Sequence, residues 1–176
     1  MRLNKIILSF VSALVILFST SVASFAKVVG DKIILGAAIS LTGKYSSNGV
    51  HTQNGYNMAV DRINSMGGVK VGGKTYKFDI IYYDDESNPK RAAQLAERLI
   101  SQDGVEFMLG PYSSGLTKAI APVTEKYGVP MVEANGASRS LFTKGYKYLF
   151  AVLAPANLYL DAVSYTHLRA HETIQH

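Results

Sequence analysis

Apolar and polar positions alternate along this chain in blocks that read as strand, helix, strand, helix. Lys32 to Ile39 (KIILGAAI) is a short apolar run, long enough for a buried parallel strand and too short for a helix. A loop rich in turn formers and hydroxyls, Ser40 to Gly49, follows it. From about Val50 to Ser65 the period becomes helical, with Tyr56, Ala59, Val60 and Ile63 on one face and Gly67-Gly68 as the stop. Val69-Lys70-Val71, the turn Gly72-Gly73-Lys74 and Thr75 to Tyr83 predict a hairpin. Its second arm alternates strictly, placing Tyr76, Phe78, Ile80 and Tyr82 on one face.

Asn88-Pro89 predicts an N-cap and a first helical residue. Ala92, Leu95, Ala96, Leu99 and Ile100 form the apolar stripe of that second helix, which Gly104 closes. Glu106 to Leu109 is a third strand. Gly110-Pro111-Tyr112-Ser113-Ser114-Gly115-Leu116-Thr117 hands it to a third helix bearing Leu116, Ala119, Ile120, Val123 and Tyr127. Pro122 within it removes a backbone donor and is expected to kink or divide it, and Gly128-Val129-Pro130 ends it. Met131 and Val132 begin a fourth strand, Glu133 to Ser138 is the loop beyond, Tyr148 to Val152 is a fifth strand, and Pro155 opens a last helix. Regular alternation predicts an α/β fold, a parallel doubly wound sheet with helices on both faces. With strand order 2-1-3-4-5, strands one and three flank the switch point where ligands bind. The loops there are Ser40 to Gly49, Gly110 to Ser114 and Glu133 to Ser138.

The ends modify this picture. Met1 to Lys5 is basic, Ile6 to Phe18 is almost wholly apolar, and Ser24-Phe25-Ala26 is a small-x-small exit, so residues 1–26 read as a cleaved secretory signal and Lys27 as the first mature residue. The apolar run falls short of the roughly 20 residues of a membrane span. Removing Arg2 and Lys5 lowers the formal net charge from +5 to +3, and the remaining basic residues are scattered, which argues against nucleic acid as a partner. The chain has no cysteine, which excludes disulfides and thiolate metal sites. Val163 to Thr173 fits neither a helical nor a strand period and resembles the in-frame translation of a transposase adapter used in shotgun DNA libraries. Residues 163–176 are therefore expected to be a non-native tail, although His167-x-x-x-His171 would allow a helical metal pair.

Candidate chemistry narrows the function. Gly68-Val69-Lys70-Val71-Gly72-Gly73-Lys74-Thr75 matches the letters of a phosphate-binding loop, yet a helix precedes it and a strand follows, the reverse of what a phosphate cradle needs. Ser113 and Ser114 stand outside a nucleophile-elbow pattern, and the body of the chain offers only His51 as an imidazole base, so no enzyme activity is expected. Asp84-Asp85-Glu86 reads as a strand-end loop favoured by the following helix dipole, and no metal or cofactor is expected. Ser114 is expected at the helix start, as a cap and as a donor or acceptor for a ligand, opposite a loop whose Gly136 and Ala137 permit close approach and whose Asn135 and Ser138 carry polar atoms.

Leu41-Thr42-Gly43, Asn64 with Gly67-Gly68-Val69, Tyr83-Asp84-Asp85 with Asn88-Pro89, Gly110-Pro111-Tyr112-Ser113-Ser114, and Ala121-Pro122-Val123 through Gly128-Val129-Pro130 occur in one order. In these the chain, from Lys32 to Asp161, resembles the periplasmic solute-binding proteins of branched-chain amino acid ABC transporters, type I fold. The resemblance implies two α/β lobes that close on a solute, with residues 27–162 a partial ligand-binding domain, the N-terminal lobe, and the second lobe missing. It implies capture of an amino-acid-like solute in the periplasm and delivery to a membrane permease; a ligand sensor of the same fold is the alternative. Ser114 aligns with the serine that contacts the zwitterion, with Ser113 beside it, Tyr112 lies near the solute side chain, and Asn135 and Gly136 stand where backbone groups contribute. Two departures, Ala137 for a hydroxyl residue and Asn48 where amino-acid binders often carry Tyr, bring amides, urea-like solutes and aromatic acids into range.

Overall fold

A computed structural model describes residues 28–159. The expected leader and appended tail lie outside the described residues. The strands are β1 (Val28–Val29), β2 (Lys32–Ile39), β3 (Val69–Val71), β4 (Lys74–Asp84), β5 (Met108–Leu109), β6 (Met131–Glu133) and β7 (Leu149–Ala151). The helices are α1 (Ser46–Ser65), α2 (Pro89–Ser101) and α3 (Ser114–Tyr127), with single 3₁₀ turns at Arg139–Leu141 and Ala156–Leu158. The last of these is what Pro155 opens within the described residues.

The sheet runs β3-β4-β2-β5-β6-β7. Pairings along β4-β2-β5-β6-β7 are parallel, so the expected order holds with β2, β4, β5, β6 and β7 as strands one to five. β3 pairs antiparallel with β4 as the predicted hairpin. β1, absent from the sequence reading, pairs antiparallel with the start of β2 and fills the edge that β5 takes over at Gly36.

The core lies between the sheet and α2 with α3. Ile34 and Ala38 of β2, Ala92, Ala96 and Leu99 of α2, Leu116, Ile120 and Ala121 of α3, and Met108 and Met131 form one buried cluster. Asn88 caps α2 by accepting from the N–H groups of Lys90 (2.9 Å) and Arg91 (3.2 Å) ahead of Pro89. α3 stays one continuous helix through Pro122, contrary to the expected division. Buried Leu116, Ile120, Ala121 and Thr124 anchor it on both sides of the proline, outweighing the one lost backbone bond. Gly128 closes it in the left-handed conformation at φ 67°.

The opposite face is less covered. By strand alternation Ile33, Leu35 and Phe78 share it with Leu109 and Val132, and these line an apolar groove of about 400 Å³. α1 lies over its β4 end, where Asn64 Nδ2 donates to the Phe78 carbonyl and Tyr82 Oη donates to Asn57. Only Gly49 and Thr52 of α1 are buried, and Ala59, placed by periodicity on the inner stripe, is exposed. Phe107, Val132 and Phe150 are likewise exposed.

Candidate functional site

Three loops at the C-terminal ends of β2, β5 and β6 build one end of the sheet, and the loop after β4 braces the first of them. Asp84 accepts from the N–H groups of Leu41 (2.9 Å) and Thr42 (3.1 Å) and from Thr42 Oγ1 (2.7 Å). Ser87 Oγ donates to the Thr42 carbonyl and accepts from Tyr45 N–H. Buried Asp85 accepts through Oδ1 from Ser40 Oγ (2.6 Å) and Ser87 N–H (2.8 Å). These bonds hold Glu86 and Ser87 at φ 55° and 60°, a left-handed pair that non-glycine residues seldom adopt. The acidic run is therefore a clamp between loops, and the helix-dipole explanation offered from sequence is replaced by these specific bonds.

Asp85 Oδ2 is buried without a partner. Burial pushes this carboxyl above the usual carboxylate range, partly offset by the bonds from Ser40 and Ser87. The folded chain thus keeps a proton that the unfolded chain releases near about pH 3.9. The group's contribution to stability is full in acid and declines as pH rises from there through the folded value. Asp85→Asn keeps an oxygen for Ser40 and Ser87 and removes the charge. It is expected to be no less stable than the parent at pH 7, with a flatter dependence as pH rises above about 4 in urea melts. A loss above about 1 kcal/mol would contradict this.

α1 begins four residues earlier than the periodicity predicts, which moves Asn48 from the loop into its first turn. The shift has a tertiary cause, since Gly49 lets the helix start press directly on the Ser40 carbonyl. Asn48, His51, Thr52, Gly55 and Tyr56 of α1 then face Tyr112, Ala134 and Asn135 across a groove of about 400 Å³. Thr52 Oγ1 donates to the Asn48 carbonyl (2.9 Å), and Tyr56 Oη donates to the Gly110 carbonyl (2.7 Å), tying α1 to the end of β5. Burial, and secondarily Glu133, push the Tyr56 phenol well above its ordinary range, so it stays protonated. Tyr45 packs edge-on against Tyr112 with ring centroids 5.5 Å apart.

Of the residues named from sequence, Asn48, Tyr112 and Asn135 line this groove. Ser113, Ser114, Gly136 and Ala137 sit in the adjoining turns without lining it. Ser113, not Ser114, caps α3: its Oγ accepts from Leu116 N–H (3.4 Å), and it holds φ 81° to do so. Ser114 is the first helical residue, and its Oγ accepts from Ser138 N–H (3.0 Å), which leaves its own proton free. The N–H groups of Asn135 and Gly136 both donate to Glu133, the buried last residue of β6 that sequence reasoning placed in the loop. His51, Thr52 and Tyr56 were passed over because a helix lining a groove shows no local signal beyond mixed polarity on one face.

A sequence profile of a periplasmic binding protein family matches residues 32–166. A leucine-, isoleucine-, valine-, threonine- and alanine-binding protein of Pseudomonas aeruginosa is 29% identical over 140 residues, 78% of this chain and 36% of that protein. The chain thus spans about a third of the length of the curated relatives it matches. The branched-chain amino acid transporter substrate-binding protein LivJ of Streptococcus pneumoniae, solved with isoleucine, superposes with a TM-score of 0.63 at 32% identity, over 70% of this chain and 34% of that one. A solute-binding protein of an R. palustris ABC transporter, solved with 4-hydroxybenzoate, superposes at 0.56 and 32% identity over 69% and 31%.

Proposed function

The chain belongs to the periplasmic binding protein family, and we propose that it is the first lobe of an extracytoplasmic protein that captures a small amino-acid-like or aromatic-acid solute and delivers it to the permease of an ABC importer. The observation that carries this is the groove between α1 and the loops after β5 and β6, lined by amide, hydroxyl, imidazole and aromatic side chains. None of the lining residues is acidic, lysine or arginine, so a solute's own charge would be met by the start of α3. There the backbone N–H groups of Ser114 and Gly115 and the free proton of Ser114 Oγ present a donor set suited to a carboxylate or an amide oxygen. Solute capture without covalent chemistry suits a site holding one imidazole and no paired nucleophile.

Ala137 supplies no hydroxyl opposite Ser114, and this extends the proposed range from α-amino acids to amides and aromatic acids. The test is a thermal-shift panel of isoleucine, acetamide, urea and 4-hydroxybenzoate on the full-length protein, followed by calorimetry. Ser114→Ala is expected to weaken the best of these by roughly ten-fold or more, through loss of a charge-assisted hydrogen bond. Unchanged affinity would remove Ser114 from the site. A panel without any binder would set aside this solute range.

A further inference from the structure

Glu133 lies fully buried at the end of β6, and separate parts of the wall converge on its carboxyl group. Oε1 accepts from the N–H groups of Asn135 and Gly136. Oε2 lies 2.5 Å from Thr117 Oγ1 in the first turn of α3. Glycines make room for it: a Cβ at Gly110 would fall 2.4 Å from Oε2, and one at Gly136 3.1 Å from Cδ. Tyr56 of α1, bonded to the Gly110 carbonyl, is the titratable group facing this cluster, and just past β7 the contact is the Val152 N–H to the Glu133 carbonyl. None of the ion pairs among the described residues includes Glu133.

Thr117 Oγ1 has one proton and two acceptors in reach, Glu133 Oε2 and the Ser113 carbonyl at 2.9 Å. A proton on Oε2 resolves the competition: Glu133 donates to Thr117, Thr117 donates to Ser113, and Oε1 keeps both backbone donors. An ionised Glu133 would instead be a buried charge without a cation to balance it. We propose that Glu133 is held as a neutral carboxylic acid whose proton orders the chain Glu133 to Thr117 to Ser113, making it the positioning residue that joins the first turn of α3 to the loop at Asn135–Gly136. Burial drives its carboxyl upward from the ordinary glutamate range, outweighing the opposite pull of the contacts to Thr117, Asn135 and Gly136. The bearing on solute capture rests on the function proposed above; the protonation state does not, and it is tested without a solute.

In the chain labelled with ¹³C at the glutamate carboxyl carbons, one resonance is expected to keep the protonated shift at pH 7, to move only in alkali, and to vanish in Glu133→Gln. The amide of glutamine reproduces the acid's donor and acceptor, so Glu133→Gln is expected to melt within about 4 °C of the parent at pH 7 and with a shallower fall towards pH 9. Glu133→Asp keeps the acid but shortens it, and is expected to melt lower than Glu133→Gln. Glutamate carboxyls that all titrate below pH 6 would overturn the proposal, as would Glu133→Asp melting above Glu133→Gln. Should Glu133→Gln fail to fold, the parent spectrum alone decides.

Discussion

Gly68→Ala is expected to lower the melting temperature by roughly 10 °C, while Lys74→Ala leaves it within about 2 °C. Gly68 follows α1 at φ 85° and donates its N–H to the Ile63 carbonyl (2.9 Å). A Cβ there would stand 2.1 Å from the Tyr76 carbonyl oxygen and 2.9 Å from its carbon, both backbone atoms of β4 that no rotamer change can move. The left-handed conformation adds about 1–2 kcal/mol for any L-residue, and the overlap about 1–3 kcal/mol more. Lys74 is exposed and opens β4 opposite Val71. These residues spell a phosphate-binding loop, but the strand β4 continues where such a loop would need a helix. Thermal melts of both variants separate the readings: a phosphate cradle would centre on Lys74, whereas helix termination and close packing centre on Gly68. A Lys74→Ala loss as large as that of Gly68→Ala would contradict the structural account.

The features legible in the sequence are those whose causes are local. Asn88-Pro89 states a helix start by its own chemistry, and Gly128 states a stop, because each acts within a few residues of itself. Alternation in β4 and the stripe of α2 likewise report burial directly, and the parallel pairing of the central strands follows from the βαβ pattern. Elements decided by distant partners were hidden. Ser46 to Gly49 reads as a turn until β2 ends beneath it. Glu133 reads as a loop residue until Gly110, Thr117 and Gly136 enclose it. Ser113 and Ser114 are equivalent caps on paper, and what separates them is Ser138 N–H, 24 residues away, which engages Ser114. Ala59 had the right spacing for the core, but the face of the sheet on its side is only partly covered by the described residues.

Gly49→Ala is expected to cost about 3 kcal/mol or more and, in the full-length protein, to weaken solute binding further than Ser114→Ala does. A Cβ at residue 49 would lie 1.8 Å from the Ser40 carbonyl oxygen, 2.6 Å from its carbon and 3.2 Å from its Cα, so the helix itself must lift from the end of β2. Ser40 cannot yield, because its hydroxyl is held by Asp85 and the following residues by Asp84. The displacement therefore falls on α1. Its first two turns carry Asn48 and Thr52, and its third carries Gly55 and Tyr56, whose bond to the Gly110 carbonyl joins both sides of the groove. Val50→Ala is the control, since that side chain is 41% exposed beside the same contact and should change neither melting nor affinity beyond about 0.5 kcal/mol. Urea melts measure the first effect and calorimetry with the best binder of the solute panel the second. Gly49→Ala that melts with the parent would mean α1 does not start against Ser40. Gly49→Ala that loses stability but retains affinity would place the solute on α3 and the loop after β6 alone, independent of α1.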